Sequence, residues 1–385
     1  MGLGRDIMAA IHTNTPAAVS LYKNTATMVA SVAPTVFILE LNIIAHQVPP
    51  FVVSGNMLFA WFLSILNQYI YCPRSQINTV VLVADNYRLV PPEKRVVQAA
   101  RQSRHAPPTP EMLAAGVTDT VCPSGAHINA SSQLIHAVIE YLLHRAAVLY
   151  ADAENIAVYA SCPSRKLPTV DDHIMLNGVR ARPGANVRLS RCGNPAPPPF
   201  ADGEGEIIGW LWARYLSAPV LFRSIDTDNA AIGMLMPPEV TNSVVVELKP
   251  VTIDKVAHRR ALVTSALGTD VDQLLLYILG GGSDYCYGIN GVTPIPGNGL
   301  RTLLKRVRTA AVQQPLTVRD HAGLIDVGPG FSKLMRSFLS AAQTDELAPV
   351  FARAFWNLNY WGQILPRNQH LFPSPVHSES HMCTQ

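Results

Sequence analysis

Two short apolar runs, each ending in a carboxylate, constrain the fold of this chain more than any other feature. The run TVFILELN at 35–42 is rich in aliphatic residues and contains Glu40, and the run TVVLVAD at 79–85 ends at Asp85. Each is typical of a buried parallel strand that ends at the edge of a sheet. Between them, residues 55–71 are rich in Leu, Phe, Trp and Ile, which predicts a buried helix. The order of strand, helix and strand predicts a right-handed βαβ unit.

Further strands are predicted later in the chain. Residues 154–160 (ENIAVYA) and 220–225 (VLFRSI) each read as a strand, and residues 242–251 (NSVVVELKPV) read as an antiparallel hairpin element. Together these segments predict an α/β sheet with helices on both faces. Two stretches rich in Pro, Ala and small polar residues, beginning at 91 and at 162, are expected to be insertions in this core.

Composition excludes several classes of protein. With 48% hydrophobic and 15% charged residues, the chain is neither disordered nor a small disulfide scaffold. Its net charge is only +3, so any surface that binds nucleic acid must be local. Six cysteines without a Cys-x-x-Cys pair give no zinc knuckle or redox pair, which favours a reducing, intracellular location. We expect no signal peptide and no membrane span. A C-terminal helix is expected at 346–366, and a disordered tail at 367–385.

Seven acidic residues stand where predicted strands or helices begin or end: Glu40, Asp85, Glu204, Glu206, Asp226, Asp228 and Asp284. A single acid in such a place is most often a helix cap or a turn residue. Seven acids in one cleft would repel each other strongly unless cations were bound between them. Hard oxygen ligands select Mg²⁺ or Mn²⁺, so the set indicates metal-assisted phosphodiester cleavage with two ions.

The order of these acids, followed by the segment from Gly282 to Cys286 (GSDYC) and a glycine-rich turn, resembles the flap endonuclease family of structure-specific 5′ nucleases. The similarity runs in order from residue 1 to about 310. It implies a single PIN-like nuclease domain over 1–345, with a parallel-type sheet. It also implies a helical arch inserted at about 91–150, a second insertion at about 162–201, and a helix-two-turn-helix region at about 270–310.

The resemblance also implies a role for each matching residue. Glu40, Asp85, Glu204 and Glu206 would hold one Mg²⁺ ion, and Asp226, Asp228 and Asp284 the second, with Mn²⁺ able to substitute. Family members usually have Asp at the position of Glu40, so this ligand is one methylene longer. Lys94 and Arg101 look like the catalytic pair that steers the scissile phosphate, although a solvated basic helix face fits them equally. The residues expected to contact nucleic acid are Arg95, Arg104, Gly288, Gly291, Gly297 and Gly299.

The function implied is a Mg²⁺-dependent 5′ nuclease, either an endonuclease or a 5′ exonuclease, that acts on branched or 5′-flap DNA in replication, repair or recombination. The divergence and the insertions favour a viral protein that works in the host nucleus, and the tail has no sliding-clamp motif. Two alternatives stay open. The virion host shutoff nucleases of herpesviruses are distantly similar, which keeps an mRNA-cleaving endonuclease under consideration. The other is a non-catalytic nucleic-acid-binding or virion protein that retains only the fold.

Overall fold

The computed structural model describes residues 32–71, 75–85, 98–163, 174–176, 179–181, 185–192, 204–224, 229, 233, 236, 238–241, 243–249, 252–257, 318–321 and 324–327. The helices are α1 (Leu41–His46), α2 (Gly55–Ile70), α3 (Pro110–Ala115), α4 (Gly125–Ala130), α5 (Ser132–Tyr150), α6 (Gly205–Leu216) and α7 (Pro238–Thr241). The strands are β1 (Val36–Glu40), β2 (Thr79–Val83), β3 (Ala157–Ser161), β4 (Ile174–Leu176), β5 (Val179–Ala181), β6 (Asn186–Arg188), β7 (Val220–Arg223), β8 (Val244–Lys249), β9 (Thr252–Lys255), β10 (Val318–His321) and β11 (Leu324–Val327).

The main sheet has seven strands in the order β6-β3-β2-β1-β7-β8-β9. The five central strands are parallel, whereas β6 and β9 pair antiparallel at the two edges. In the register of the central strands, Phe37 lies opposite Val80 on one side and Leu221 on the other. The predicted α/β class with a mostly parallel sheet is therefore confirmed.

Helices pack on both faces of this sheet. On one face, the ring of Phe37 stacks on Tyr69 of α2 with 4.4 Å between centroids, and α5 completes the same apolar core. Phe222 follows the register partner of Phe37, so its side chain lies on the opposite face. There it meets Trp210 of α6, with ring centroids 6.0 Å apart. The site described below is on the α6 side.

The predicted order of strand, helix and parallel strand is present in the structure. Strand β1 is buried along its whole length because it lies in the middle of the sheet, and β2 pairs with it in parallel. Helix α2 begins after Ser54, whose side chain accepts a hydrogen bond from the backbone N–H of Met57. Its buried residues recur at helical spacing and face the core: Gly55, Leu58, Phe59, Phe62, Ile65, Leu66 and Ile70.

Three later segments refine the predictions. The segment at 242–251 pairs antiparallel with β9, as predicted for a hairpin, but β8 also pairs in parallel with β7 and so extends the main sheet. Within the stretch assigned to the arch, 98–102 is helical and the chain then turns, whereas α5 lies against the sheet and buries apolar residues in the core. In the second insertion, β4 and β5 form a hairpin and β6 joins the edge of the sheet.

Several predicted regions lie outside the described residues: the helix-two-turn-helix at 270–310, the C-terminal helix at 346–366 and the tail at 367–385. Among the helices that the structure does describe, none combines the length and the apolar character needed to cross a membrane.

Candidate metal centre

The candidate site lies at the carboxyl ends of the parallel strands, where the order of the sheet reverses direction. From β1 the chain passes to β2 and β3 on one side, and it returns to β7 and β8 on the other side. Loops diverge at such a switch point and leave a crevice, which is where open α/β sheets bind their ligands. Glu40 is the last residue of β1, and Ser224 directly follows β7. These two residues therefore border the crevice from neighbouring strands.

Three carboxylates from distant parts of the chain meet there. Glu40, Asp85 and Glu206, called here the acidic trio, each offer an oxygen atom, and these oxygens all lie within 4.8 Å of one another. Glu40 is 5% exposed and Glu206 is 8% exposed, while Asp85 is half-buried. The trio thus places three carboxyl groups close together at a site that is largely withdrawn from water.

Hydrogen bonds from the surrounding backbone and side chains hold two members of the trio. The backbone N–H of Gly205 donates to Oδ1 of Asp85 at 2.9 Å, and the backbone N–H of Asp85 donates to Oδ1 of Asn42 at 2.9 Å. The hydroxyl of Ser224 donates to Oε2 of Glu40 at 2.8 Å. The donors at Gly205 and Ser224 fix the orientation of the carboxylates that accept from them.

The start of α6 brings the third carboxylate to the site. Glu204 is the N-cap residue in an extended conformation (φ −73°, ψ 150°), and Glu206 lies in the first helical turn. The positive end of the helix dipole favours negative charge at both positions. A Cβ atom at Gly205 would lie 2.8 Å from Cγ of Glu40, a distance too short for a side chain. Glycine at this position therefore allows α6 to approach β1.

The donor set fits a hard divalent cation. Carboxylate oxygens are the preferred ligands of Mg²⁺ and Mn²⁺, whereas zinc and copper sites usually include nitrogen or sulfur donors. Mg²⁺ is commonly bound through one or two carboxylates, with water or phosphate oxygens completing its shell. Glu40, Asp85 and Glu206 could therefore hold such an ion.

The structure brings together three of the four residues predicted for the first metal. Glu204 is also buried, but it does not belong to the trio. Arg101 and Arg104 are exposed, at the end of the 98–102 helical segment and in the turn that follows it. The other predicted site residues lie outside the described part of the chain: Lys94, Arg95, Asp226, Asp228, Asp284, Gly288, Gly291, Gly297 and Gly299.

Sequence reasoning missed three residues that support the trio. Asn42, Gly205 and Ser224 carry no charge and match no metal-ligand pattern, so they did not appear as candidates. A weak signal was present, because Gly205 lies between Glu204 and Glu206, and Ser224 is the penultimate residue of a predicted strand, two residues before Asp226. Only the pairing of β1 with β7 makes the role of Ser224 visible.

No family model matches this chain, and no curated protein matches it either. The geometry of the acidic trio and the order of motifs along the sequence are the features that point to a function.

Proposed function

We propose that this protein is a Mg²⁺-dependent nuclease that hydrolyses phosphodiester bonds, with a PIN-like fold and the substrate preference of a structure-specific 5′ nuclease. The observation that carries the proposal is the convergence of Glu40, Asp85 and Glu206 at the switch point of the sheet. Holding three carboxylates this close together, two of them buried, is costly unless a cation offsets their repulsion. A metal site explains why the fold would hold them so close together.

The roles of the described residues follow from their positions. Glu40, Asp85 and Glu206 would hold the ion, while Gly205 and Ser224 orient two of these carboxylates through hydrogen bonds. When bound, Mg²⁺ polarises a phosphoryl oxygen and makes a coordinated water more acidic. Arg101 is exposed, and its planar guanidinium suits phosphate oxygens, so it can contact the phosphate backbone of a substrate.

The finer parts of the proposal come from the sequence resemblance. It assigns a second ion to Asp226, Asp228 and Asp284, and a phosphate-steering role to Lys94 together with Arg101. It also favours DNA with a 5′ flap over other substrates.

The experiment uses the purified full-length chain with Mg²⁺ and three labelled substrates in parallel: 5′-flap DNA, plain duplex DNA and capped RNA. We expect cleavage of the flap near its junction, loss of cleavage on chelation, and no turnover when Ca²⁺ replaces Mg²⁺. Preferential cleavage of the RNA would support the mRNA endonuclease instead. Absence of cleavage of all three substrates would refute the nuclease proposal.

Matched variants connect the activity to the trio. Asp85→Asn and Glu206→Gln keep the side-chain shape but remove a charge, so each should abolish most cleavage and weaken Mn²⁺ binding in calorimetry. Glu154→Gln makes the same chemical change at an exposed position outside the trio, and it should leave both measurements unchanged. Full activity of the two trio variants would show that another site performs the reaction.

A further inference from the structure

Ser224, at the carboxyl edge of the sheet, is a neutral side chain that is completely buried against a carboxylate. Its exposed fraction is 0%, and its hydroxyl donates to Oε2 of Glu40 at 2.8 Å. A serine hydroxyl has a single proton to donate. That proton is therefore committed to Glu40.

The position of Ser224 is fixed by its own backbone hydrogen bond and by the side-chain contacts of the residue before it. Its backbone N–H donates to the carbonyl of Glu247 at 3.2 Å. The preceding residue, Arg223, points to the opposite face, where its guanidinium donates to the hydroxyl of Tyr69 at 2.8 Å. That hydroxyl in turn donates to Oε2 of Glu247. The end of β7 is thus anchored to β8 and to α2, and the Ser224 hydroxyl has little freedom to move.

A buried, anchored donor of this kind can orient a metal ligand. Carboxylates that bind metals are commonly held by a hydrogen bond from a neighbouring group, and loss of that group weakens metal binding even though it never touches the ion. Glu40 has a side chain that is one methylene longer and more flexible than that of an aspartate. It therefore needs an external constraint more than a shorter acid would.

We propose that Ser224 is a positioning residue of the metal centre, and that its hydrogen bond holds the Glu40 carboxylate in the orientation that faces Asp85 and Glu206. This inference rests on the proposed function. It concerns a residue outside the ligand set, so it can fail while the metal site itself stands.

The test compares Mn²⁺ binding by the full-length chain in isothermal titration calorimetry. Ser224→Ala should raise the Kd by about 10- to 100-fold, the usual consequence of losing such a partner. Ser224→Thr keeps the hydroxyl and should bind close to the wild type. The matched control is Ser190→Ala, because Ser190 is also buried (6% exposed) and its hydroxyl donates to the carbonyl of Cys192 at 2.7 Å.

A second measurement separates positioning from a purely structural role. If the hydrogen bond of Ser224 served only to pair a buried hydroxyl, Ser224→Ala would lower the Tm equally with and without Mn²⁺. A positioning role predicts instead that the Mn²⁺-induced rise in Tm shrinks in Ser224→Ala and persists in Ser190→Ala.

Three results would overturn the inference. If Ser224→Ala bound Mn²⁺ with the affinity of the wild type, Ser224 would have no positioning role, but the proposed function would stand. Equal weakening in Ser224→Ala and Ser190→Ala would indicate general destabilisation. No Mn²⁺ binding by the wild type would overturn both this inference and the proposed metal centre.

Discussion

Removing the hydroxyl of Tyr69 should destabilise the protein through two buried charged groups. The hydroxyl accepts a hydrogen bond from Arg223 and donates one to Glu247, and both charged side chains are almost fully buried. Nε of Arg223 and Oε1 of Glu247 make no hydrogen bond to any residue that the structure describes. Tyr69→Phe would therefore leave two charged groups with fewer partners, while its ring can still stack on Phe37.

The size of the effect follows from the two lost bonds. A hydrogen bond to a charged group contributes about 1.5–3 kcal/mol, so two of them set a ceiling of about 6 kcal/mol for Tyr69→Phe. Because neighbouring side chains relax, we expect a loss of about 3 kcal/mol in the free energy of unfolding.

The assay is urea unfolding of the full-length chain at pH 7, followed by circular dichroism. The control is Tyr150→Phe, which also removes a hydroxyl from a buried tyrosine, but one outside this network. If Tyr69→Phe costs no more than Tyr150→Phe, the network does not stabilise the fold and the reasoning is refuted.

The same network predicts a pH dependence with a defined sign. Burial raises the pKa of the Glu247 carboxyl, while Arg223 and the Tyr69 hydrogen bond act in the opposite direction. The folded protein therefore retains this proton at a pH where the unfolded chain, with a carboxyl pKa of about 4.3, has lost it. The stability that this group contributes is present at low pH and is lost as the pH rises through the raised value. Glu247→Gln should remove this pH-dependent part of the stability. If the difference in the free energy of unfolding between the wild type and Glu247→Gln did not change with pH above pH 4, the prediction would be wrong.

Three further predictions concern the site and its support. Glu40→Asp should retain part of the Mg²⁺-dependent cleavage, and Glu40→Gln should lose most of it. If Glu40→Gln were as active as the wild type, this carboxylate would serve only as a structural cap. Arg101→Ala should slow single-turnover cleavage by about 100-fold with little change in substrate Kd, whereas Arg104→Ala should weaken binding and reduce its salt dependence; a normal single-turnover rate in Arg101→Ala would refute its role. Gly209→Ala should cost about 2 kcal/mol in urea unfolding, because overpacking exceeds the gain in helix propensity. The new Cβ would lie within 3 Å of several atoms of the Phe222 ring, and an unchanged stability would mean that this ring moves freely.

The central strands and the first long helix were predictable because their signals are local. Five consecutive buried residues in β1 are apolar except for the terminal Glu40, and this pattern belongs to a strand covered on both faces. Residues 55–70 repeat apolar side chains at helical spacing after a serine cap. The acids at the end of β1 and just beyond β2 were also predictable, because finding them requires only the limits of the two strands.

The parallel pairing of β8 with β7 was harder to predict than its antiparallel pairing with β9, because only a hairpin has a local signal in the sequence. Only two residues separate β8 from β9 in the sequence, so the antiparallel pair could be predicted. Its parallel pairing with β7 joins segments separated by α7 and depends on how the chain packs on the sheet. Periodicity within one segment carries no information about its neighbours.

The composition of the site was decided by the tertiary structure. Glu204 and Glu206 look equivalent in the sequence, but two residues on a helix differ by about 200° in direction, so the cap residue and the first-turn residue face different surroundings. Only Glu206 joins Glu40 and Asp85. Ser224 gained its role only when β7 paired beside β1, because side chains more than a hundred residues apart meet through strand order and not through any local pattern.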